Sequence, residues 1–139
     1  MKLIDFIICD DIRFETNGKH TLVGAFSDIN VPYKKGTKKP INVLLKLGFF
    51  IRCMVDSSET KPENFKLEVL HNTKGQLQPF EGSLSIPEDV KFMNLVLVTN
   101  YVIPDEGRIS FTLLLSKDGK VIDTIKPEYT FGINIVEVE

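Results

Sequence analysis

Two adjacent aspartates, Asp10 and Asp11, are the residues whose type and spacing come closest to a chemical site in this sequence. Arg13 follows them, and Asp28 comes one hairpin later. Carboxylate oxygens can ligate calcium, and two carboxylates can serve as acid and base in hydrolysis. The sequence therefore allows a hydrolase or metal-dependent enzyme. In the alternative interpretation the cluster is structural: one aspartate pairs with Arg13 or accepts backbone amides where a strand bends.

The other reactive residue types form no catalytic or cofactor motif. Gly82-Ser83-Leu84-Ser85 lacks the second glycine of a nucleophile elbow, and neither a dinucleotide fingerprint nor a P-loop occurs. Cys9 is a poor nucleophile, because neighbouring carboxylates raise the pKa of a thiol. Cys9 and Cys53 each lie in an apolar run, which is typical of buried thiols. We predict no cofactor, and the sequence favours a binding module over an enzyme.

A basic segment, residues 33–40, could contact nucleic acid. Lysines neutralise phosphates, and Tyr33 could stack on a base. One aromatic residue among four lysines is also typical of a solvated loop or of protection for a sheet edge, and this interpretation is favoured. The formal net charge of −2 gives no global attraction to nucleic acid or to an anionic membrane. The four lysines are Lys34, Lys35, Lys38 and Lys39.

The acidic pair lies on the first strand of a predicted hairpin. Asn17-Gly18 is a strong signal for a tight turn, because both residues tolerate positive φ. A two-residue loop would place Asp11 opposite Gly24, where the missing side chain leaves room. The apolar alternation of Leu3–Phe14 is interrupted at Asp10. Either the strand bends there, which is favoured, or Asp10 points inward and needs a partner, because an unpaired buried carboxylate is costly.

Further strands are predicted by period-two alternation, and Asp118-Gly119 predicts a second tight hairpin. Residues 27–42 are predicted to form a loop, and residues 77–86, which contain Pro79, a weak edge strand. The pattern predicts an all-β, single-domain antiparallel β-sandwich of about eight strands over residues 1–139, with a closed β-barrel as the alternative. The remaining predicted strands are 43–55, 65–71, 92–103, 108–116, 120–126 and 129–135.

The predicted strands 43–55 and 92–103 have one apolar face and one mixed face. Such a mixed face suits an interface with a protein partner or with a second copy of the chain. The apolar run at residues 3–9 is too short for a secretory leader and is interrupted by Asp5, and no run is long enough to cross a membrane. The sequence therefore predicts a cytoplasmic protein without a membrane anchor.

One resemblance supports this fold. Cys9-Asp10-Asp11-x-Arg13, followed by Gly18-Lys19-x-x-Leu22-x-Gly24-x-Phe26-x-Asp28-Ile29, resembles the opening of a family of short bacterial proteins of unknown function. Pro104-x-x-Gly107-x-x-x-Phe111 resembles the second half of that family more loosely. The resemblance implies a cytoplasmic bacterial β-sandwich without an assigned activity.

Overall fold

The computed structural model describes residues 1–56 and 58–139, which form two packed β-sheets. Its described residues contain a single 3₁₀ turn, Thr16–Gly18, and no α-helix. The strands are β1 Lys2–Phe14, β2 His20–Phe26, β3 Asp28–Lys34, β4 Val43–Met54, β5 Asn64–His71, β6 Gly75–Gln76, β7 Phe80–Ser83, β8 Phe92–Ile103, β9 Gly107–Lys117, β10 Lys120–Ile125 and β11 Phe131–Val138.

Sheet A has the strand order β2-β1-β4-β8, and sheet B has the order β3-β11-β9-β5-β6. In sheet B, β10 pairs with the second half of β9, and β7 pairs with the first half of β5. All pairings are antiparallel except that of β3 with β11, which is parallel. The predicted β-sandwich is confirmed, although the described residues contain eleven strands instead of about eight. The closed-barrel alternative is wrong because the strands form two separate sheets.

The core lies between the sheets and consists of the inward-facing residues of alternating strands. Phe49 is completely buried, and its ring packs against the rings of Phe6, Phe80 and Phe111. The inward residues predicted from the sequence are confirmed. They include Leu47, Phe49, Ile51 and Cys53 of β4, Phe65, Leu67 and Val69 of β5, and Ile109, Phe111, Leu113 and Leu115 of β9.

The prediction of a loop over residues 27–42 is wrong for its first half, because Asp28–Lys34 form β3. Ile29, Val31 and Tyr33 alternate with exposed residues, but Pro32 weakens the strand signal in the sequence. The parallel partner of β3 begins at Phe131, far along the chain. Such pairing cannot be read from local patterns. The predicted strand over residues 77–86 is likewise wrong in extent: β6 ends at Gln76 and β7 spans Phe80–Ser83.

The first hairpin differs from its prediction by one residue in register. Asn17 and Gly18 both have φ of +72°, as the sequence predicts, but the loop contains three residues rather than two. The amide of Glu15 donates to the carbonyl of Lys19, and Phe14 lies opposite His20. Asp11 consequently faces Val23 instead of Gly24.

The register of β1 with β2 has no shift through Asp10, but Ile8 and Ile12, which a straight strand would place on one face, belong to different clusters. Phe6 and Ile8 point into the main core, whereas Cys9 and Ile12 pack with Phe50 in a small cluster on the outer face of sheet A. Pairing of β1 with β4 ends at Cys9, opposite Gly48. A Cβ on Gly48 would lie 3.1 Å from Cys9 Sγ and 3.3 Å from Ile12 Cγ1. The far half of the hairpin therefore covers part of the outer face of sheet A.

Gly24 is required beside Asp10, and we expect Gly24→Ala to destabilise the fold by about 1 to 3 kcal/mol. Its φ is +66°, and an added Cβ would lie 2.5 Å from Asp10 Oδ2. Urea denaturation followed by circular dichroism measures the loss. Adding Asp10→Ala removes the close contact but not the strain of positive φ, so it should restore part of the stability. Equal losses in the presence and absence of Asp10 would show that the carboxylate contact is unimportant.

Candidate functional site

The acidic residues singled out in the sequence have separate partners. Asp11 Oδ1 accepts the amide of Ile12 at 2.9 Å and lies 3.5 Å from Lys46 Nζ. Asp10 is exposed beside Gly24, and Arg13 is exposed opposite Thr21. Asp11 is therefore bound to neighbours within sheet A.

Asp28 belongs to sheet B, where it joins three strands. Its Oδ1 accepts the amide of Gly132 at 2.9 Å and lies 3.4 Å from Arg108 Nη1. The Arg108 guanidinium also donates to Thr130, through Nε to Oγ1 at 2.9 Å and through Nη2 to the carbonyl at 2.6 Å. These contacts hold β3 and β11 beside β9, so Asp28 contributes to sheet assembly.

The side chains that could ligate a metal are dispersed. Within residues 1–56 and 58–139, no three His, Cys, Asp or Glu side chains come together in a metal-binding arrangement. His71 is buried, with Nε2 3.0 Å from the carbonyl of Asp105 and Nδ1 3.2 Å from the amides of Thr73 and Lys74. It links two turns of sheet B.

Both cysteines are buried and free. Burial raises the pKa of the Cys9 thiol, and the charges of Asp10 and Asp11 add to this effect. Burial also raises the pKa of Cys53 to about 11. Both thiols are therefore protonated at neutral pH, a state that disfavours nucleophilic attack.

The four basic-loop lysines are exposed around a turn at the end of β3. The amide of Thr37 donates to the carbonyl of Lys34 at 3.1 Å, and the amide of Lys35 donates to the carbonyl of Val138 at 2.7 Å. Lys39 forms an ion pair with Glu106, which raises the pKa of the lysine. Part of the positive charge is thus neutralised within the chain.

Strand β8 has an unusual free edge. Its twelve residues pair with β4 in one unbroken register, from Val43 opposite Ile103 to Met54 opposite Phe92. In the described part of the chain β4 is its only strand partner, so no strand pairs with the other edge of the β8 backbone. The strand reads FMNLVLVTNYVI and contains no charged residue, proline or glycine.

The other outermost strands carry features that discourage pairing with a foreign strand. β2 has seven residues and contains Gly24 at φ +66°, which interrupts its regular geometry. β3 contains Pro32 and charged residues at both ends. β6 and β7 have two and four residues, and β10, at the border of sheet B beside β9, has six residues that include Lys120 and Asp123. Among the described strands, β8 therefore presents the longest and least protected edge.

A groove runs along the first half of the β8 edge and has a volume of about 520 Å³. Phe92 to Val96 line it consecutively, so the groove follows the strand edge rather than one face of the sheet. Its lining also includes Phe14 and His20 of the first hairpin and residues 83–87. Phe14 is 72% exposed. The groove therefore borders the edge along which an added strand would pair.

A second cavity, of about 530 Å³, lies at the end of β4 near Met1. Its walls combine apolar side chains with charged groups. The amino group of Met1 contacts Glu59 Oε2 at 2.5 Å and Asp123 Oδ2 at 2.7 Å. This cavity is thus bordered by an ion-pair cluster that joins the two sheets. Its lining residues are Met1, Lys2, Met54, Val55, Asp56, Glu59, Lys91 and Phe92.

Tyr101 anchors the segment before β7 to β8 and provides a pH-dependent test of the structure. Its hydroxyl donates to the carbonyl of Gln78 at 2.5 Å, and burial raises its pKa from 10.0 to about 12. Above pH 10 the unfolded chain releases this proton more readily than the folded chain. The contribution of the neutral Tyr101 phenol to the free energy of unfolding is therefore complete below pH 10. It is lost towards pH 12, where the free energy of unfolding falls by about 2 to 3 kcal/mol.

We expect Tyr101→Phe to be about 1 kcal/mol less stable than the wild type at pH 7, because one buried hydrogen bond is lost. The difference should shrink above pH 10 and change sign, because the variant has no phenol to ionise. Urea denaturation at several pH values measures both curves. A constant difference from pH 8 to pH 11.5 would contradict the assignment of the shift to Tyr101.

A known protein family matches most of the strands described above. A family profile matches residues 4–126, a span that contains β8 and the first hairpin. The chain belongs to the family of unknown function DUF6941. The family membership predicted from the sequence is thereby confirmed, while β11 lies beyond the matched residues. No curated protein matches the chain.

The free edge of β8 was only partly visible in the sequence. The mixed face of residues 92–103 is a local pattern, whereas the strand order depends on pairing between distant segments. The absence of charge over twelve consecutive residues is a signal that the sequence does contain. Within the described residues, no helix has the length and apolar character needed to cross a membrane.

Proposed function

We propose that this member of DUF6941 is a non-enzymatic protein-interaction module that binds an extended strand along the free edge of β8. The observation that carries the proposal is that β8 alone, among the outermost described strands, has neither charge, proline, glycine nor short length to block pairing. Strand addition would satisfy the open backbone groups of this edge, and side-chain contacts would supply specificity.

The exposed residues beside the edge support the same role. Val98 and Val102 of β8 and Leu44 of β4 are apolar and exposed on the outer face of sheet A. Phe14 adds a further exposed aromatic ring at the groove. Apolar exposure next to an open edge is typical of an interface, because a partner can bury both together.

The two rival functions have weaker support. A hydrolase or metal-dependent enzyme would need Asp10, Asp11 and Asp28 to converge on one centre, whereas Asp11 and Asp28 contact different partners in different sheets. Weak nucleic-acid contact through the basic loop would rely on Lys34, Lys35 and Lys38, since Lys39 pairs with Glu106. An unchanged mobility of DNA and RNA at low salt would rule out that contact.

Site-directed photo-crosslinking in a bacterial host tests the proposal. The photoreactive residue p-benzoylphenylalanine replaces Val98 at the edge or, as a matched control, Val121, which is exposed on β10. We expect a defined covalent protein adduct from position 98 that position 121 does not give. Equal adducts from both positions, or none from either, would overturn the proposal.

We also infer that the protein acts in a bacterial cytoplasm. Two buried free thiols suit a reducing compartment, where structural disulfides are rare. Fractionation of a native host with antibodies against the chain would test this inference. Recovery in a periplasmic fraction would contradict it.

A further inference from the structure

We propose that the occupant of the β8 edge is the β8 strand of a second copy, so that two copies of sheet A form one continuous eight-stranded sheet. This inference rests on the proposed interaction function and names its partner. A two-fold axis perpendicular to the sheet passes through the pair and makes the two strands antiparallel.

The symmetry limits the register. An axis perpendicular to the sheet keeps the outer faces of both copies on the same side. Residues that lie opposite each other must therefore point to the same face. Because the outward-facing residues of β8 have even numbers, the two residue numbers of each opposed pair must add up to an even number. One residue therefore lies opposite its own copy, and the axis passes midway between these two copies.

Pairing about Leu97 gives the best match of side chains. Two pairs on the outer face are identical in this register, since Val96 lies opposite Val98 of the second copy and Asn94 lies opposite Asn100. Apolar pairs and amide pairs in these positions stabilise antiparallel strands. The remaining pairs in this register are Leu95 with Thr99, Met93 with Tyr101, and Phe92 with Val102.

The lack of charge and the position of the groove agree with self-pairing. Because β8 contains no charged residue, two copies meet without repulsion between like charges along the paired strands. In the register about Leu97, residues 98–102 of the second copy lie opposite Phe92–Val96, which are the β8 residues that line the groove. The exposed ring of Phe14 at the groove would then be covered by the second copy.

Light scattering on the purified chain tests the association. We expect a species of twice the chain mass that dissociates on dilution. Val98→Lys places a lysine at the paired edge of each copy, where it should raise the dissociation constant at least about tenfold. Val121→Lys introduces the same charge on an exposed β10 valine and should leave the dimer unchanged. Circular dichroism checks that both variants remain folded.

Disulfide trapping tests the register. Asn94→Cys and Asn100→Cys chains are oxidised separately and as an equimolar mixture. Opposed strand residues lie about 5 Å apart, within disulfide range, whereas two copies of position 94 would be separated by about 20 Å. We therefore expect a rapid covalent dimer from the mixture alone. Trapping of single variants at an equal rate would overturn the register about Leu97.

Failure of self-pairing can be separated from failure of the proposed function. A strictly monomeric wild type, or a dimer that Val98→Lys leaves intact, would overturn the second-copy proposal. If position 98 nevertheless crosslinks to a different protein, the interaction function stands and the partner is not a second copy. If position 98 gives no specific adduct of either kind, both proposals are overturned.

Discussion

Replacing Phe49 by alanine is expected to lower the free energy of unfolding by about 3 to 5 kcal/mol. The Phe49 side chain is completely buried between the sheets, where it packs against Phe6, Phe80 and Phe111. Truncation removes apolar burial and leaves a cavity that a β-sandwich core cannot easily close, because strand pairing fixes the backbone on each side. Urea denaturation followed by circular dichroism measures the loss.

Phe14→Ala provides the matched control for this prediction. Phe14 is 72% exposed and contacts His20 on the outer side of the hairpin, so its truncation should cost less than about 1 kcal/mol. Phe49→Leu keeps part of the buried volume, so its free energy of unfolding should lie between those of the wild type and Phe49→Ala. This variant keeps the prediction testable if Phe49→Ala does not fold. Equal effects at positions 14 and 49 would contradict the assignment of the core.

The second large effect is expected for His71→Ala, at about 2 to 4 kcal/mol. The imidazole connects the carbonyl of Asp105, at 3.0 Å, with the amides of Thr73 and Lys74, each at 3.2 Å. The two ring nitrogens serve opposite roles: Nε2 donates and Nδ1 accepts. Alanine removes these bonds and leaves polar backbone groups without their partner in a largely buried place, which costs more than the bonds contributed.

His20→Ala is the control for His71→Ala, since it removes the same residue type from the outer face of sheet A. There the His20 ring contacts Phe14 and Phe50, and we expect a loss below about 1 kcal/mol. Amide hydrogen exchange should localise the effect, with faster exchange at Thr73 and Lys74 in His71→Ala only. A variant that exchanges uniformly faster would indicate global destabilisation without a specific role for the turns.

Local patterns predicted the parts of the fold that depend on one strand and its turn. Phe49 and Ile51 point inward, as their alternation indicates, and Asp118-Gly119 forms a two-residue turn with positive φ at both positions. The predicted register of the first hairpin is wrong because Asn-Gly is compatible with loops of two or three residues. The local signal specifies the backbone of Asn17 and Gly18 but not the number of residues between the paired strands.

The parts that depend on distant segments were not predictable in this way. β3 contains Pro32 and becomes a strand through its parallel partner β11, and Asp28 takes its role from Gly132 and Arg108. The candidate interaction edge has the same origin. The sequence displays an uncharged run at residues 92–103, but only the order of strands places that run at the border of sheet A.

The division of strands between the sheets also sets an order of events during synthesis. Sheet A is complete once Ile103 has left the ribosome, whereas sheet B still lacks β9, β10 and β11, which extend to Val138. At about 5 to 20 residues per second, synthesis of these three strands takes roughly another 2 to 7 s. Until then sheet B cannot fully cover the apolar inner face of sheet A. During that interval the nascent chain exposes part of this face and the unpaired β8 edge, which are the kinds of surface that holding chaperones bind.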